Sequence, residues 1–331
     1  MMPGNSFESA VGPVLGRYIA LKRALGRTFQ KEGCVLGQLD RYLAEHHEAD
    51  LTLASFSGWS REIEHLAIAE RRQRLRIVYR FCQFRRRGEP GAFVPDPDQF
   101  PPAPPRPRPY IFTHAEILRL LELTGGLKAE PPSPLYPQVA RVSVVLLYTA
   151  GLRRGEVVRL TLGDYERRDG LLLVRDTKFH KSRLLPLCDD AMREMESYLD
   201  ARDRPPFSRD PGSPLLVNGC GGSAGYSHGG FGHMMRRLFR TAGIRTPTGA
   251  TPRTHDLRFT FAVHALLRWY RSGTAVSSRL PVLARYMGHV SVVSTQYYLT
   301  LLGAVAEAAN VKFERHCARF LPVGDHEGGT P

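Results

Sequence analysis

The chain of 331 residues carries 46 lysines and arginines against 32 acidic residues, which gives a net charge of +14 and a pI of about 9.9. This excess favours a polyanionic partner, most often nucleic acid, and the ordinary apolar content of 42% excludes a disordered tail. The longest apolar stretch, Val142 to Leu152, is too short to cross a bilayer, and five scattered cysteines exclude a disulfide framework or a zinc site.

The first 88 residues predict an all-helical domain, because apolar residues recur at three- and four-residue steps, as in Val14, Tyr18 and Leu21. Its last predicted helix is rich in arginine, with apolar residues interleaved as a buried face. Such convergence predicts contact with DNA, although a solvated basic face is the alternative. The candidate DNA-binding residues in this helix are Arg71, Arg72, Arg74, Arg85, Arg86 and Arg87.

A proline-rich segment follows this domain. Nine prolines lie between Glu89 and Pro109, and such a run holds neither a helix nor a central strand. We therefore predict a helical domain over residues 1–88, an extended linker over 89–110 and a second domain over 111–331.

The second domain combines predicted helices with a short hairpin. Thr113 and Glu116 match a capping box at a helix start, and a buried helix is expected over Val139 to Thr149. The apolar runs Leu171–Val174 and Ser182–Leu187 flank a polar turn and are typical of two paired strands. Together the two domains predict a mainly α (α+β) fold with a small antiparallel sheet in the second domain.

Two segments of this domain carry cations suited to binding a phosphate. Arg153 follows the turn that ends the buried helix, and a guanidinium can donate to two phosphate oxygens at once. Its neighbour Arg154 could share this role. Lys178 and Lys181 lie in the hairpin turn, where a lysine could protonate a leaving oxygen or simply contact DNA. The residues alone do not choose between the two lysines.

Two later segments add a histidine–arginine pair and two adjacent tyrosines. His255 and Arg258 are three residues apart, so on a helix they share a face and could both donate to one phosphate, unless the histidine only caps the helix. Tyr297 and Tyr298 follow a glycine–histidine turn at His289. A tyrosine is a poor nucleophile unless nearby cations lower its pKa, and paired tyrosines more often serve packing.

Four segments, in this order, resemble the conserved boxes of the tyrosine recombinases, the family of phage integrases and Xer-type resolvases. The resemblance covers about residues 110–320, and the helical first domain resembles the core-binding domain of that family. The segments are Gly151-Leu-Arg-Arg-Gly-Glu156, Thr177-Lys178 with Lys181-Ser-Arg-Leu-Leu-Pro186, His255-Asp-Leu-Arg258, and Met287-Gly-His289 with Ser294-Thr-Gln-Tyr-Tyr298.

The resemblance implies a role for each matching position. The second domain would be the catalytic domain, in which two arginines and two histidines bind the scissile phosphate, a lysine is the general acid and a tyrosine is the nucleophile. The implied catalytic residues are Arg153, Lys178, His255, Arg258, His289 and Tyr298.

Three further points follow from the same resemblance. Lys181 remains the alternative general acid and a further candidate for DNA binding, and Glu156 resembles the acidic residue that orients its partners. Tyr298 is preferred to Tyr297 because it lies nine residues beyond His289, the usual interval in the family. The family often has histidine where this chain has Phe259.

The implied function is site-specific recombination through a 3′-phosphotyrosine, for integration, excision or transposition of a mobile element, or for resolution of replicons. The partners would be double-stranded DNA recombination sites and three further copies of the chain, as a homotetramer in the cytoplasm of a prokaryote, associated with the nucleoid and without membrane contact. No acidic cluster of the two-metal type is visible, so we expect neither a metal nor another cofactor. The alternatives are a type IB topoisomerase-like or telomere-resolvase activity, and a non-catalytic DNA-binding protein.

Overall fold

A computed structural model describes residues 7–103, 105, 108–129, 133–175, 182–219, 224–288, 297–299 and 301. The chain divides into two compact units, Met1–Pro107 and Arg108–Pro331. In the described ranges, no helix has both the length and the apolar character needed to cross a membrane.

The described part of the first unit is a bundle of four α-helices. The fourth helix packs against the first two, and its buried side chains Phe81 and Val78 join Leu15, Leu36 and Trp59 in one core. Thr52 accepts a hydrogen bond from the backbone of Ser55 at the start of the third helix, so that helix begins at a side-chain cap. The helices are α1 (Gly12–Ala24), α2 (Gln30–Glu45), α3 (Leu53–Glu62) and α4 (Ile68–Arg86).

Part of the segment expected to be an extended linker packs onto this bundle. Ala92 and Phe100 are buried, and Phe100 belongs to the core of the first unit. Arg72 donates a hydrogen bond to the carbonyl of Pro101, and Pro97–Gln99 forms a short 3-10 helix. The segment therefore differs from the expectation, because the apolar side chains between the prolines gain more by burial than an extended chain would allow.

The second unit contains seven helices and three strands among its described residues. Its centre is the second of these helices, which is buried over most of its length and packs against five neighbouring helices. The elements are α5 (His114–Gly125), α6 (Tyr136–Thr149), α7 (Arg154–Arg159), β1 (Tyr165–Glu166), β2 (Leu171–Val174), β3 (Arg183–Pro186), α8 (Asp189–Arg202), α9 (His228–Thr241), α10 (Asp256–Arg271) and α11 (Val276–Met287).

The sheet is antiparallel, in the order β1-β2-β3. Leu172 pairs with Leu185 and both are buried, whereas Val174 pairs with Arg183 at the end of the hairpin. The predicted capping box between Thr113 and Glu116 is present at the start of α5. The mainly helical fold with a small antiparallel sheet is thus confirmed.

A fully buried arginine at the end of α8 provides a test of this packing. Arg202 donates to the carbonyls of Ser208, Pro214 and Leu215 at 2.6, 2.9 and 3.2 Å. We expect Arg202→Met to lower the free energy of unfolding by about 2–4 kcal/mol, because the carbonyls of Ser208 and Pro214 lose a charged donor, whereas that of Leu215 keeps its hydrogen bond from Tyr198. Urea denaturation measures the change, and the exposed Arg204→Met is the control. A loss as small as that of the control would contradict the assigned role.

Candidate active site

The turn after α6 requires a glycine. Gly151 has a φ of +58°, and a Cβ at this position would lie 2.4 Å from the Cδ1 atom of Phe261. The carbonyl of Gly151 accepts a hydrogen bond from the guanidinium of Arg258. The tight turn thereby connects α6 to α7 and places Arg153 at the start of α7, near the first turn of α10.

Glu156 on α7 is the buried centre of the site. Its carboxylate accepts from the backbone N–H and the guanidinium of Arg153 at 2.8 and 2.7 Å, and from two nitrogens of Arg183 at 2.9 and 3.1 Å. Burial by itself raises the pKa of Glu156, but the hydrogen bonds and positive charges of the two arginines outweigh it and lower the pKa to about 2. The charged carboxylate therefore holds both guanidinium groups in place.

Arg183 was not among the residues singled out from the sequence. It lies on β3, donates from Nε to the carbonyl of Tyr286 at 2.9 Å, and its side chain is only 11% exposed. The local sequence gave a weak indication, since this cation follows the hairpin turn directly and begins an apolar strand. Its partner on α7 is 27 residues away, so only the fold brings the two together.

The end of α11 accepts hydrogen bonds from Arg153 and Arg258 and lies against Arg183. Gly288 has a φ of +67°, and a Cβ there would lie 2.7 Å from Nη1 of Arg183. The carbonyl of Gly288 accepts from Arg153 at 3.0 Å, and that of Met287 accepts from Arg258 at 2.6 Å. Glycine thus allows the backbone to approach the guanidinium groups, which fixes the end of α11 in the site.

Arg258 on α10 is almost completely buried, with 1% of its surface exposed. Desolvation lowers its pKa to about 10, and the positive charge of Arg153 acts in the same direction. The guanidinium therefore remains protonated at neutral pH. Besides the two carbonyl groups, it forms a hydrogen bond with the side chain of Tyr298.

His255 directly precedes α10 and is exposed at the surface of the unit. Desolvation by the surrounding protein lowers the pKa of His255 to about 4, and the charges of Arg258 and Arg153 add to the shift, whereas Asp256 opposes it. The imidazole is therefore neutral at pH 7 in the absence of a ligand. An anion beside it would raise the pKa again.

The two adjacent tyrosines have different surroundings. Tyr298 is 3% exposed, whereas Tyr297 is 41% exposed. Burial raises the pKa of Tyr298, and the charge and hydrogen bond of Arg258, together with Arg153, oppose that rise. The ring of Phe259 lies edge-on to Tyr298 with its centroid at 5.4 Å. The fold therefore brings the hydroxyl of Tyr298 to the arginines of the site.

Three of the predicted site residues, Lys178, Lys181 and His289, lie outside the residues that the structure describes. Arg154 is exposed and passes close to Gly232 on α9. Among the described residues, no three His, Cys, Asp or Glu side chains are grouped so that they could hold a metal ion.

Most of the candidate DNA-binding arginines of the first unit are engaged in contacts within that unit. Three of them form ion pairs, and two donate to backbone carbonyls. The pairs and bonds are Arg71 with Glu64, Arg74 with Glu70, Arg85 with Asp50 and Glu89, Arg72 with the carbonyl of Pro101, and Arg86 with the carbonyl of Ala92.

The second unit therefore presents a buried tyrosine, two guanidinium groups and a histidine around one point, as expected of an enzyme that transfers phosphodiesters. The family model for the phage integrase family matches residues 112–303. The chain belongs to this family, the tyrosine recombinases, which are DNA strand-transferring enzymes.

Individual proteins agree with this placement. The integrase/recombinase y4rB of Sinorhizobium fredii is 30% identical over 313 residues, covering 94% of this chain and 98% of the relative. The tyrosine recombinase XerD of Mycobacterium tuberculosis is 33% identical over 201 residues, covering 60% of this chain and 58% of XerD.

Solved structures show the same fold. The Tn1549 transposon integrase in complex with circular intermediate DNA has a TM-score of 0.60 at 19% identity and covers 86% of this chain and 94% of that chain. A lambda integrase dimer bound to a core site has a TM-score of 0.57 at 18% identity, with the same coverage of 86% and 94%.

The pKa of Glu156 leads to a prediction about stability. The pKa in the folded state, about 2, lies below the ordinary value of 4.5, so the carboxylate contributes stability above pH 4.5 that is lost as the pH falls towards 2. We expect Glu156→Gln to lower the free energy of unfolding by about 3 kcal/mol at pH 7, and by progressively less below pH 4.5.

Urea denaturation of both proteins between pH 7 and pH 3.5 measures this dependence. The exposed Glu122→Gln on α5 is the control and is expected to change the stability by less than about 0.5 kcal/mol. A difference between wild type and Glu156→Gln that stayed constant down to pH 3.5 would count against the assigned ion pairs.

Proposed function

We propose that this chain is a site-specific recombinase that cleaves and rejoins double-stranded DNA through a 3′-phosphotyrosine on Tyr298. The observation that carries the proposal is the hydrogen bond between buried Tyr298 and Arg258, in a site where Arg153 also contributes its charge. A tyrosine that only packed in a core would not need two arginine side chains near its hydroxyl group.

The reaction is a transesterification. The hydroxyl of Tyr298 gives up its proton to the surrounding water as its oxygen attacks the phosphorus. The bond from phosphorus to the 5′-oxygen breaks, and the leaving oxygen takes a proton to become a free hydroxyl. A 5′-hydroxyl of the partner strand reverses these steps, so the phosphodiester bond energy is conserved. Lys178 is the proposed general acid, with Lys181 as its alternative, and His289 is a proposed donor to the phosphate.

Arg153 and Arg258 would stabilise the negative charge that develops on the phosphate oxygens in the transition state. Both guanidinium groups are oriented before DNA binds, Arg153 by Glu156 and Arg258 by the carbonyls of Gly151 and Met287. Donors that are already in position need no reorganisation during the reaction, and this is the main source of electrostatic catalysis. Glu156 therefore acts as a positioning residue.

His255 would add a further donor. Its neutral imidazole carries one N–H, and its exposure leaves it open to an approaching phosphate. Bound phosphate would raise the pKa of His255 and thereby favour the doubly protonated ring, which donates from both nitrogens. The positive charge in the site would then increase only when a substrate is present.

The proposed partners are DNA recombination sites and three further copies of this chain, because exchange between two duplexes requires four cleaved strands. The Tn1549 integrase and lambda integrase neighbours are themselves bound to DNA. The names integrase/recombinase and transposon integrase support a role in integration, excision or transposition of a mobile element. The site of action would be the nucleoid in the cytoplasm of a prokaryote.

The nucleophile can be tested with paired variants of the two tyrosines. On duplexes of candidate attachment-site sequence with a nick beside the cleavage position, we expect Tyr298→Phe to abolish covalent capture of DNA, whereas Tyr297→Phe retains at least about a third of it. Denaturing gels measure the captured fraction. If Tyr297→Phe abolished capture while Tyr298→Phe retained it, Tyr297 would be the nucleophile.

A relaxation assay on supercoiled DNA, together with the capture assay, separates the alternatives. A type IB topoisomerase-like enzyme would relax supercoiled DNA without a specific site, and a non-catalytic DNA-binding protein would form no covalent complex on any substrate.

Arg183 provides a separate prediction. Arg183→Met removes one of the two guanidinium groups that hold Glu156, so Arg153 should become less well oriented. We expect the rate of covalent capture to fall at least about tenfold with little change in DNA affinity, because small displacements at a reacting centre are costly. Arg183→Lys should restore part of the rate. Arg193→Met, at a position that is 71% exposed, is the matched control and should behave as wild type.

A further inference from the structure

Phe259 lies on α10 between two buried residues and presents its ring to the site. Arg258 and Thr260, its neighbours in the sequence, are 1% and 0% exposed, whereas Phe259 is only partly buried. Oγ1 of Thr260 accepts a hydrogen bond from the backbone of Phe112 at 3.0 Å and donates one to the carbonyl of Asp256 at 2.9 Å. This turn of α10 is therefore attached to the rest of the unit and gives the Phe259 ring a fixed base.

The Phe259 ring contacts three other rings. It lies edge-on to the imidazole of His255, with ring centroids 5.0 Å apart and planes at 89°. It also lies edge-on to Tyr298, at 5.4 Å and 63°, and to Tyr297, at 6.1 Å and 75°. Edge-to-face contacts of this kind have a preferred geometry, so each of them restricts the orientation of both rings.

The contact with His255 follows from helix geometry. His255 directly precedes α10 and Phe259 lies four residues further on, a spacing that makes two side chains neighbours on one face of a helix. The phenyl ring covers part of the imidazole and contributes to the desolvation that lowers the pKa of His255. The histidine thus has an apolar neighbour on one side, which restricts the directions in which its ring can turn.

Tyr298 is held at two points. Its hydroxyl group forms a hydrogen bond with Arg258, and its ring packs against Phe259 in the hydrophobic cluster of α10 and α11. A hydrogen bond by itself would leave the phenol free to swing about its oxygen. The ring contact removes this freedom, because Arg258 and Phe259 are consecutive residues and hold the two ends of one side chain.

Within the part of the chain that the structure describes, Phe259 is the one side chain in ring contact with both His255 and Tyr298. His255 is exposed and open to a phosphate, whereas Tyr298 is 3% exposed. A residue that touches both relates the place where a phosphate binds to the place from which it is attacked. A phenyl ring cannot donate, accept or carry a proton, so Phe259 acts through the residues it contacts.

We propose that Phe259 is a positioning residue, whose ring aligns the hydroxyl of Tyr298 with a phosphate bound at His255. The inference rests on the proposed function, since it takes Tyr298 as the nucleophile. Small displacements at a reacting centre are costly in rate. Loss of the ring should therefore slow the attack on phosphorus and leave DNA affinity nearly unchanged, because no contact to a phosphate is lost.

Four variants of the full chain test this role. Phe259→Ala removes the ring, Phe259→Leu keeps the apolar bulk without a ring, and Phe259→Tyr keeps the ring. Trp269→Ala is the matched control, because Trp269 is a partly buried aromatic residue of the same helix that packs against the same hydrophobic cluster. Urea denaturation measures the stability of each variant, so that rates are compared between fully folded proteins.

The first readout is the rate of covalent capture on the nicked attachment-site duplexes at saturating DNA, with affinity measured separately by fluorescence anisotropy. We expect Phe259→Ala and Phe259→Leu to lower the saturated rate at least about tenfold, while the dissociation constant stays within about threefold of wild type. Phe259→Tyr should retain at least about a third of the rate, and Trp269→Ala should stay within about twofold of wild type.

The second readout needs no catalysis. Desolvation lowers the pKa of His255 to about 4, and proton NMR follows its imidazole, whose resonance is identified by its absence in His255→Gln. Water that enters in place of the ring should raise this pKa by at least about 0.5 in Phe259→Ala, whereas Trp269→Ala should leave it unchanged. The charged groups that act on the imidazole remain in all these variants, namely Arg258, Asp256, Arg153 and Arg253.

Three results would overturn the inference: a saturated rate in Phe259→Leu equal to that of Trp269→Ala, a loss that lies entirely in the dissociation constant, or an unchanged pKa of His255 in Phe259→Ala. Failure of the proposed function is distinguishable from these. If wild type captured no DNA, the recombinase proposal would fail and the positioning role with it. If wild type captured DNA and Phe259→Leu did so equally fast, the positioning role alone would fail.

Discussion

The architecture of the site depends on one buried carboxylate. Glu156 accepts hydrogen bonds from Arg153 on its own helix and from Arg183 on β3, which are otherwise unconnected parts of the chain. Both guanidinium groups also reach the end of α11, at the carbonyls of Gly288 and Tyr286. A carboxylate whose pKa is lowered to about 2 remains charged at any physiological pH, so protonation does not break these contacts. The Glu156 carboxylate, through its two arginine partners, therefore connects the start of α7, strand β3 and the end of α11.

The second constraint is the burial of Arg258. Its carbonyl partners, those of Gly151 and Met287, belong to the backbone, so main-chain groups hold the guanidinium in position. Glycine at position 151 is required because the turn has a positive φ and Phe261 fills the space that a side chain would need. The arginine that contacts Tyr298 is thus placed by main-chain geometry, and its partial desolvation strengthens its electrostatic effect on that hydroxyl.

Arginine has three distinct roles in this chain, which residue counts do not separate. It orients a carboxylate in the catalytic site, as in Arg183; it caps buried carbonyl groups, as in Arg202; and it pairs with acidic residues on α4, as in Arg74. Arginines such as Arg80, which is exposed and forms no ion pair with the residues that the structure describes, keep their charge for an external anion. The count of 46 lysines and arginines therefore overstates the number of cations available for DNA, since several of them pair with acidic residues within each unit.

The sequence by itself determined the fold class, the family and the spacing of the site residues, because periodicity, the capping box at Thr113 and the order of four short segments are local properties. It could not assign Arg183, whose partner lies 27 residues away, nor distinguish the burial of Tyr298 from the exposure of Tyr297. It also could not show that Arg85 on α4 pairs with Asp50, because such an ion pair depends on the distance between side chains that are far apart in the sequence. Those decisions belong to the tertiary structure, where segments that are distant in sequence share one desolvated environment.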